Sequence, residues 1–486
     1  MLQKRVLAVM GGLFLTGCSS GLFEGGEKAT VVVPPSSAYV VGDEAEAVKA
    51  GAAVLAEGGS AADAATAVYF ALSVTYPVAA GLGGGGLCVV HNAKGRNEVF
   101  SFLTRDSKGG GPYALAGNVR GFWALQHAYG KLSWDRLIAP AETLATSGFP
   151  ISEALETRLN ASLDVLRLDA NLAYEFLDDN GNLKPTGTTI VNTDIAKTLT
   201  AIRTQGADGF YRGEIGKKIV DYAIQQGSGI TADEFASYTE MRQPAQSIAM
   251  GDLTVYLPPG NLGSGAFAIT LFRKLTDVMA SLDIGQATRE TLEQFQVEAL
   301  PKDLGATGFA AIDTSGQAVA CGVTMNGSFG SGRTTPAVGV TLARAPASSA
   351  AGLSSAFITP VVASHNVDGA AITGVGSGGP NGAASVAYVL LRSARGDELT
   401  QPADLRTTGL APFSTVNAIA CLGGSCAALS DPGSSGLGMA SAQAGSAQLA
   451  TPNAPPVQQF TEQPDGGETM VPADQTSPPP QQLTQQ

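Results

Sequence analysis

The chain has 486 residues, 61 of them glycine, with 44% hydrophobic and 15% charged residues. This composition describes a glycine-rich globular protein, and a soft prior of ~150 residues per domain suggests about three domains, a count weakened by two ends that read as non-globular. The net charge of −13, with no basic patch anywhere, excludes a nucleic-acid binder, which needs a basic footprint.

Lys4 and Arg5 precede an apolar run from Val6 to Leu15 and then Thr16, Gly17 and Cys18, the three parts of an export signal. The run is about ten residues, short of the ~20 that cross a bilayer, and no later stretch reaches that length. Leu15-Thr16-Gly17-Cys18 resembles a bacterial lipobox. That resemblance makes Cys18 the lipidated first residue of a protein anchored in the bacterial cell envelope and facing the periplasm. Stable anchoring takes more than one acyl chain. Residues 19–37, broken by Gly25, Gly26, Pro34 and Pro35, read as a linker.

The body opens with two helices. Ala45, Val48, Ala52 and Leu55 recur at helical spacing, Gly58 and Gly59 stop the first helix, and Ser60 with Asp63 is a capping-box start for a second running from Ala64 to Val74. A glycine loop from Gly81 to Gly86 enters a strand hairpin formed by Leu87–His91 and Glu98–Leu103. A helical middle from Tyr113 to about Tyr238 is punctuated by Gly130, Gly148 and Gly213. After Tyr256–Gly260 and one more helix, a second hairpin joins Phe309–Asp313 to Ala318–Met325 through the turn Thr314–Gln317. Strands at both ends with helices between predict an α+β body of stacked sheets covered by helices.

Cys421 and Cys426 would close a small loop in an oxidising compartment. Zinc there is the weaker reading, because it takes about four ligands and no histidine lies nearby. Cys88 and Cys321 sit in apolar runs and are expected to be buried. From Ala428 the chain turns to Ala, Ser, Gly, Gln and Pro, with no Lys or Arg, so residues 428–486 read as a disordered tail.

Several segments, in order and spacing, resemble the γ-glutamyltranspeptidase family of N-terminal-nucleophile hydrolases. In the first part these are Glu57-Gly-Gly-Ser-Ala-Ala-Asp63, Gly83–Gly86, Gly130-Lys-Leu-Ser-Trp134, Pro140, Gly148-Phe149, Phe210-Tyr-Arg-Gly213 and Thr231–Tyr238. In the second they are Asp313–Val319, Thr324-Met-Asn326, Phe329–Gly332, Leu353-Ser-Ser355 with Pro360, and Gly376–Gly379. The resemblance implies a four-layer αββα sandwich, with a large-chain-like part at 38–305 and a small-chain-like part at 306–427 of one domain. It also implies an amidohydrolase or transferase, with no cofactor and no metal, acting on small γ-glutamyl amides such as glutathione.

In that family an N-terminal threonine is the nucleophile and its own α-amino group, with a pKa of ~7.7–8.0, is the base. Self-cleavage of the preceding peptide bond frees the amine. Counting back from Asp313, the nucleophile's place falls on Ala306, which has no hydroxyl, the next threonine's on Thr307, and a histidine's on Gly308. Thr307 could serve only if the strand slips by one residue, which turns its side chain to the other face unless a bulge compensates.

By the same resemblance, Thr324 and Asn326 support the nucleophile, and Gly378 and Gly379 lie near the oxyanion hole, although Pro380 follows where a second N–H is expected. Arg105 matches the arginine that grips the substrate α-carboxylate, and Ser354 and Ser355 match its hydroxyl partners. Two departures stand against this. The stretch Ala343–Ser348 lacks the acid that receives the substrate α-amino group, and only about forty residues separate Gly265 from Ala306 where the family has considerably more. Two readings follow: a hydrolase with a displaced Thr307 nucleophile, or an uncleaved inactive protein that serves as a ligand-binding or scaffold lipoprotein. A purely structural surface protein, a third class, rests on the tail alone.

Overall fold

The computed structural model describes residues 35–441, apart from 93, 278–282, 298–299, 348–350, 368, 406–412 and 423–424. Cys18, most of the linker and the tail beyond 441 lie outside the described residues.

Two antiparallel sheets carry the fold. In chain order the strands are β1 (Tyr39–Gly42), β2 (Gly85–His91), β3 (Asn97–Phe102), β4 (Met241–Pro244), β5 (Gln246–Met250), β6 (Leu253–Leu257), β7 (Ala306–Ile312), β8 (Ala318–Thr324), β9 (Thr359–His365), β10 (Ala371–Ser377), β11 (Thr415–Leu422), β12 (Ser425–Leu429) and β13 (Leu437–Ala440). The first sheet has the order β13-β1-β7-β8-β2-β3-β4 and the second β12-β11-β10-β9-β6-β5. The two parts expected from the sequence interleave, since β7 lies between β1 and β8.

The four layers follow from which faces are apolar. Val41, Leu87, Val89, Ala310 and Ile312 of the first sheet meet Val362 and Ile419 of the second. The outer face of the first sheet packs on α1 (Ala45–Ala56) and α2 (Ala61–Thr75), and that of the second on α3 (Gly265–Asp277), α4 (Ile284–Gln294) and α5 (Pro380–Ala394). This is the αββα arrangement.

The first helix pair forms for the reasons visible in its sequence. Ser60 caps α2 by accepting from the Asp63 N–H, and the Asp63 carboxylate accepts from the Ser60 N–H. Every residue of α2 is buried, and its alanines let α1 come close, with Gly51 against Val68. The turn at Asp313 is held by its carboxylate, which accepts from the Ser315 and Gln317 N–H groups.

Several expectations are corrected. The strand of the second hairpin starts at Ala306, and two helices rather than one separate β6 from β7. The second sheet is built from strands that periodicity did not single out. The sheets also run past residue 428, because β12 continues to Leu429 and β13 pairs with β1 through Leu437↔Gly42 and Ala440↔Tyr39. That pairing satisfies an edge of the first sheet.

Cys421 and Cys426 form a disulfide, as the sequence suggested. Cys88 and Cys321 do so as well, as register partners across β2 and β8 with 4.1 Å between their Cα atoms. Among the described residues no helix is long and apolar enough to cross a membrane, and no group of His, Cys, Asp or Glu could hold a metal ion.

Candidate active site

The segment entering β7 is held through the carbonyls of Leu304, Gly305 and Ala306 and the N–H of Gly305. The Gly305 carbonyl accepts from the Met325 N–H at 2.9 Å and from Thr324 Oγ1 at 3.0 Å. The Leu304 carbonyl accepts from Ser354 Oγ at 2.8 Å and the Gly327 N–H at 3.0 Å. The Gly305 N–H donates to Asp303 Oδ1 at 2.7 Å, and Arg158 Nη1 donates to the Ala306 carbonyl at 2.8 Å. Gly305 has φ +60°, and a Cβ there would stand 2.1 Å from the Gly327 carbonyl oxygen, so only glycine fits.

Three residues assigned from the resemblance converge here: Thr324, Asn326 and Ser354. The Asn326 N–H donates to Thr324 Oγ1 at 2.9 Å, and Asn326 Nδ2 donates to Thr104 Oγ1 at 2.9 Å and to the Arg344 carbonyl at 2.8 Å. Thr104 immediately precedes the short strand Arg105–Asp106, so this chain of hydrogen bonds links the arginine strand to the start of β7.

Ala306 and Thr307 lie on opposite faces of the strand, as alternation requires. Gly308 shares Ala306's face, and a Cβ there would sit 2.5 Å from Val375 on β10; a histidine at that position would strike the second sheet. Ala306 is 1% exposed and Thr307 0%. The Thr307 hydroxyl donates to Asp43 Oδ2 at 2.7 Å. Asp43 is itself fully buried just after β1, and it also accepts from Thr415 Oγ1 at 3.0 Å and Asn417 Nδ2 at 2.8 Å. In this in-register strand the hydroxyl of Thr307 is therefore turned into a polar network of the interior.

The glycine pair follows β10. Gly378 has φ +76°, and Gly379 precedes α5, whose first residue is Pro380. Gly378 lies against the Phe413 carbonyl, and the Phe413 ring lies 5.5 Å from the Arg158 guanidinium that holds Ala306. A proline at the head of the helix removes one of the N–H donors an oxyanion hole would use.

Arg105 donates from Nη2 to the Thr239 carbonyl at 2.7 Å, and its guanidinium lies 4.6 Å from the centre of the Tyr238 ring. Burial pushes the Tyr238 phenol well above its usual range. Ser354 is 1% exposed and faces Leu304; Ser355 is half-buried beside Gly263. The segment after Leu342 runs beside the arginine strand, where the Ala347 N–H donates to Asp106 Oδ1 at 3.0 Å.

Four residues of this site had no sequence signal: Asp43, Thr104, Arg158 and Asp303. Arg158 is 2% exposed and grips Asp303 with two nitrogens, Nε to Oδ2 at 3.0 Å and Nη2 to Oδ1. The Asp303 carboxylate lifts the Arg158 pKa still higher against the cost of burial, so the guanidinium stays charged. The only hint was the position of Asp303, three residues before Ala306; its partner lies 145 residues away.

Residues 47–299, just over half the chain, match the family model described as gamma-glutamyltranspeptidase. The chain belongs to the γ-glutamyltranspeptidase family. The match ends ahead of Ala306, so membership rests on the large-chain-like part. Glutathione hydrolase 3 of Arabidopsis thaliana is 25% identical over 381 residues, 64% of this chain and 60% of the relative. A glutathione hydrolase proenzyme of Pseudomonas sp. (strain A14) is 31% identical over 274 residues, 52% of this chain and 48% of the relative. The chain thus spans about half the length of the curated relatives it matches. Cephalosporin acylase from Bacillus halodurans has the same fold, with a TM-score of 0.65 at 17% identity over 87% of this chain and 99% of that structure.

Proposed function

We propose that this chain is an uncleaved, non-hydrolytic member of its family, kept as a ligand-binding lipoprotein of the cell envelope. The observation that carries the reading is the pair Ala306 and Thr307. The in-register position has no hydroxyl, and the adjacent hydroxyl is buried and donated to Asp43 on the other face. Thr307 could reach the Ala306 side only by a one-residue slip of β7. That slip would break the β7–β8 register and leave Asp43, a buried carboxylate, without one of its donors.

On this reading Arg105 keeps its carboxylate-gripping role, so an α-amino acid or γ-glutamyl compound such as glutathione is the expected ligand class. The half-buried guanidinium, steadied by Tyr238 and Thr239, supports that role. Export and lipidation at Cys18 rest on the signal and lipobox pattern, and the two disulfides fit an oxidising compartment. Calorimetry with glutathione tests the ligand role: the wild type should bind, and Arg105→Met should lose binding without loss of glutathione turnover, because there is none.

A second reading has one specific observation in its favour. The Ala306 carbonyl, on which an oxyanion would form during cleavage ahead of Thr307, already accepts from the charged Arg158 Nη1 at 2.8 Å. An active hydrolase of γ-glutamyl amides using Thr307 would require a fragment beginning at Thr307.

A further inference from the structure

The last turn of α2, the helix Ala170–Phe176, the start of the helix Thr193–Gln205 and the strand pair Thr334–Thr335 with Val340–Thr341 wall a cavity of about 30 Å³. That is two to three times the ~10–15 Å³ that one water needs. None of the residues that hold Leu304, Gly305 and Ala306 lines it, so it is separate from the candidate active site.

Its polar lining offers acceptors. Ser73, 3% exposed, donates its hydroxyl proton to the Phe70 carbonyl at 2.7 Å, which leaves only lone pairs for a neighbour. Thr334 and Thr341 are register partners whose hydroxyls share one hydrogen bond at 3.0 Å, and each oxygen keeps a lone pair. Among the described residues no Lys, Arg, His or Cys lines the cavity.

Glu175 is the only ionisable side chain that does. Its Oε2 accepts from Asn192 Nδ2 at 3.0 Å, while its Oε1 has no hydrogen bond among the described residues and is reachable by a water-sized particle. Lys184, the charged group acting on this carboxyl, donates instead to the Tyr174 and Glu175 carbonyls at 2.8 and 2.9 Å. Burial pushes the carboxyl up to about 7. The carboxylate thus has a neutral amide where a buried charge calls for a cation. Hard cations take oxygen ligands, and the charge a site accepts follows its number of carboxylates. One carboxylate among neutral oxygens, in a space for one or two small particles, matches a monovalent ion.

We propose that this cavity binds a sodium or potassium ion, with Glu175 as its counter-ion and the hydroxyl oxygens of Ser73, Thr334 and Thr341 among its ligands. The inference is independent of the chemistry at Ala306 and of self-cleavage. A proton and a cation relieve the same carboxylate, so the two compete for it.

Thermal unfolding of the full chain in sodium, potassium or tetramethylammonium chloride at equal ionic strength tests it, tetramethylammonium being too large to enter. Sodium or potassium should raise the midpoint saturably above the tetramethylammonium value, by about 1–2 °C at roughly 200 mM. Glu175→Gln, neutral and of the same shape, should abolish the difference between the salts. Thr341→Val keeps the carboxylate and removes one oxygen, and should weaken the apparent affinity about threefold or more. Identical midpoints in the three salts, a salt difference that survives Glu175→Gln, or an unchanged concentration dependence in Thr341→Val would each overturn the proposal. The wild-type comparison needs neither variant, and saturable broadening of the sodium-23 resonance by the wild type, reversed by potassium, reads the same site directly; no such broadening would also overturn it.

Discussion

The hydroxyl of Thr307 donates to Asp43 at 2.7 Å, and the same buried carboxylate accepts from Thr415 and Asn417. A threonine beside the nucleophile position is thus part of the interior framework, and its removal should be felt as lost stability.

Thr307→Val keeps the shape and removes the donor. It should destabilise the fold by about 1–3 kcal/mol, because Asp43 stays buried with one partner fewer, while Thr307→Ser should cost less. Denaturant unfolding of the two variants distinguishes them, and equal stability of Thr307→Val and wild type would contradict the assignment.

Restoring the missing hydroxyl should restore reactivity at the junction. In Ala306→Thr the new hydroxyl stands next to the Gly305 carbonyl, which Met325 and Thr324 already polarise. The expected outcome is slow cleavage between Gly305 and residue 306, seen as two bands under denaturing conditions, with Ala306→Val as the uncleaved control of similar size. An uncleaved Ala306→Thr would show that the junction lacks more than the hydroxyl.

Arg158→Met should be among the most damaging single changes in the body. It leaves Asp303 buried without its cation and frees the Ala306 carbonyl, at a cost of about 3–5 kcal/mol. Thermal unfolding reads this directly; a loss below about 1 kcal/mol would contradict the picture of a fully desolvated pair.

Stability should also fall with pH through one identifiable group. Burial pushes the Glu175 carboxyl up to about 7, only partly offset by the Asn192 amide at 3.0 Å and by Lys184. A carboxyl whose folded pKa is raised binds its proton more tightly in the native state, so its contribution is present below the unfolded pKa near 4.5 and is lost as pH rises to about 7. Glu175→Gln should flatten that part of the stability profile, an effect on the order of 1–3 kcal/mol. A wild-type profile that rises from pH 5 to 7 and is unchanged by Glu175→Gln would contradict this.

How much of this was legible in the sequence depended on distance along the chain. The capping box at Ser60, the glycine-entered hairpin and the Asp313 turn are local and were readable from neighbouring residues. The second sheet was not, because Pro360–Ser364 and Ile372–Gly376 are short runs of small and apolar residues whose periodicity does not separate strand from buried helix. The strand Leu437–Ala440 sits in a tail-like composition and is held only by pairing with β1. Within the site, Thr324, Asn326 and Ser354 were found through the family resemblance. Asp43 and the Arg158–Asp303 pair belong to long-range contacts that no motif announces.

The most direct test of the central claim is the intact mass of the purified full chain, expressed without its export signal and incubated for days at neutral pH. The account predicts one mass, that of the uncleaved chain. Two fragments, the second beginning at Thr307, would contradict it and make Thr307 the nucleophile of a working hydrolase.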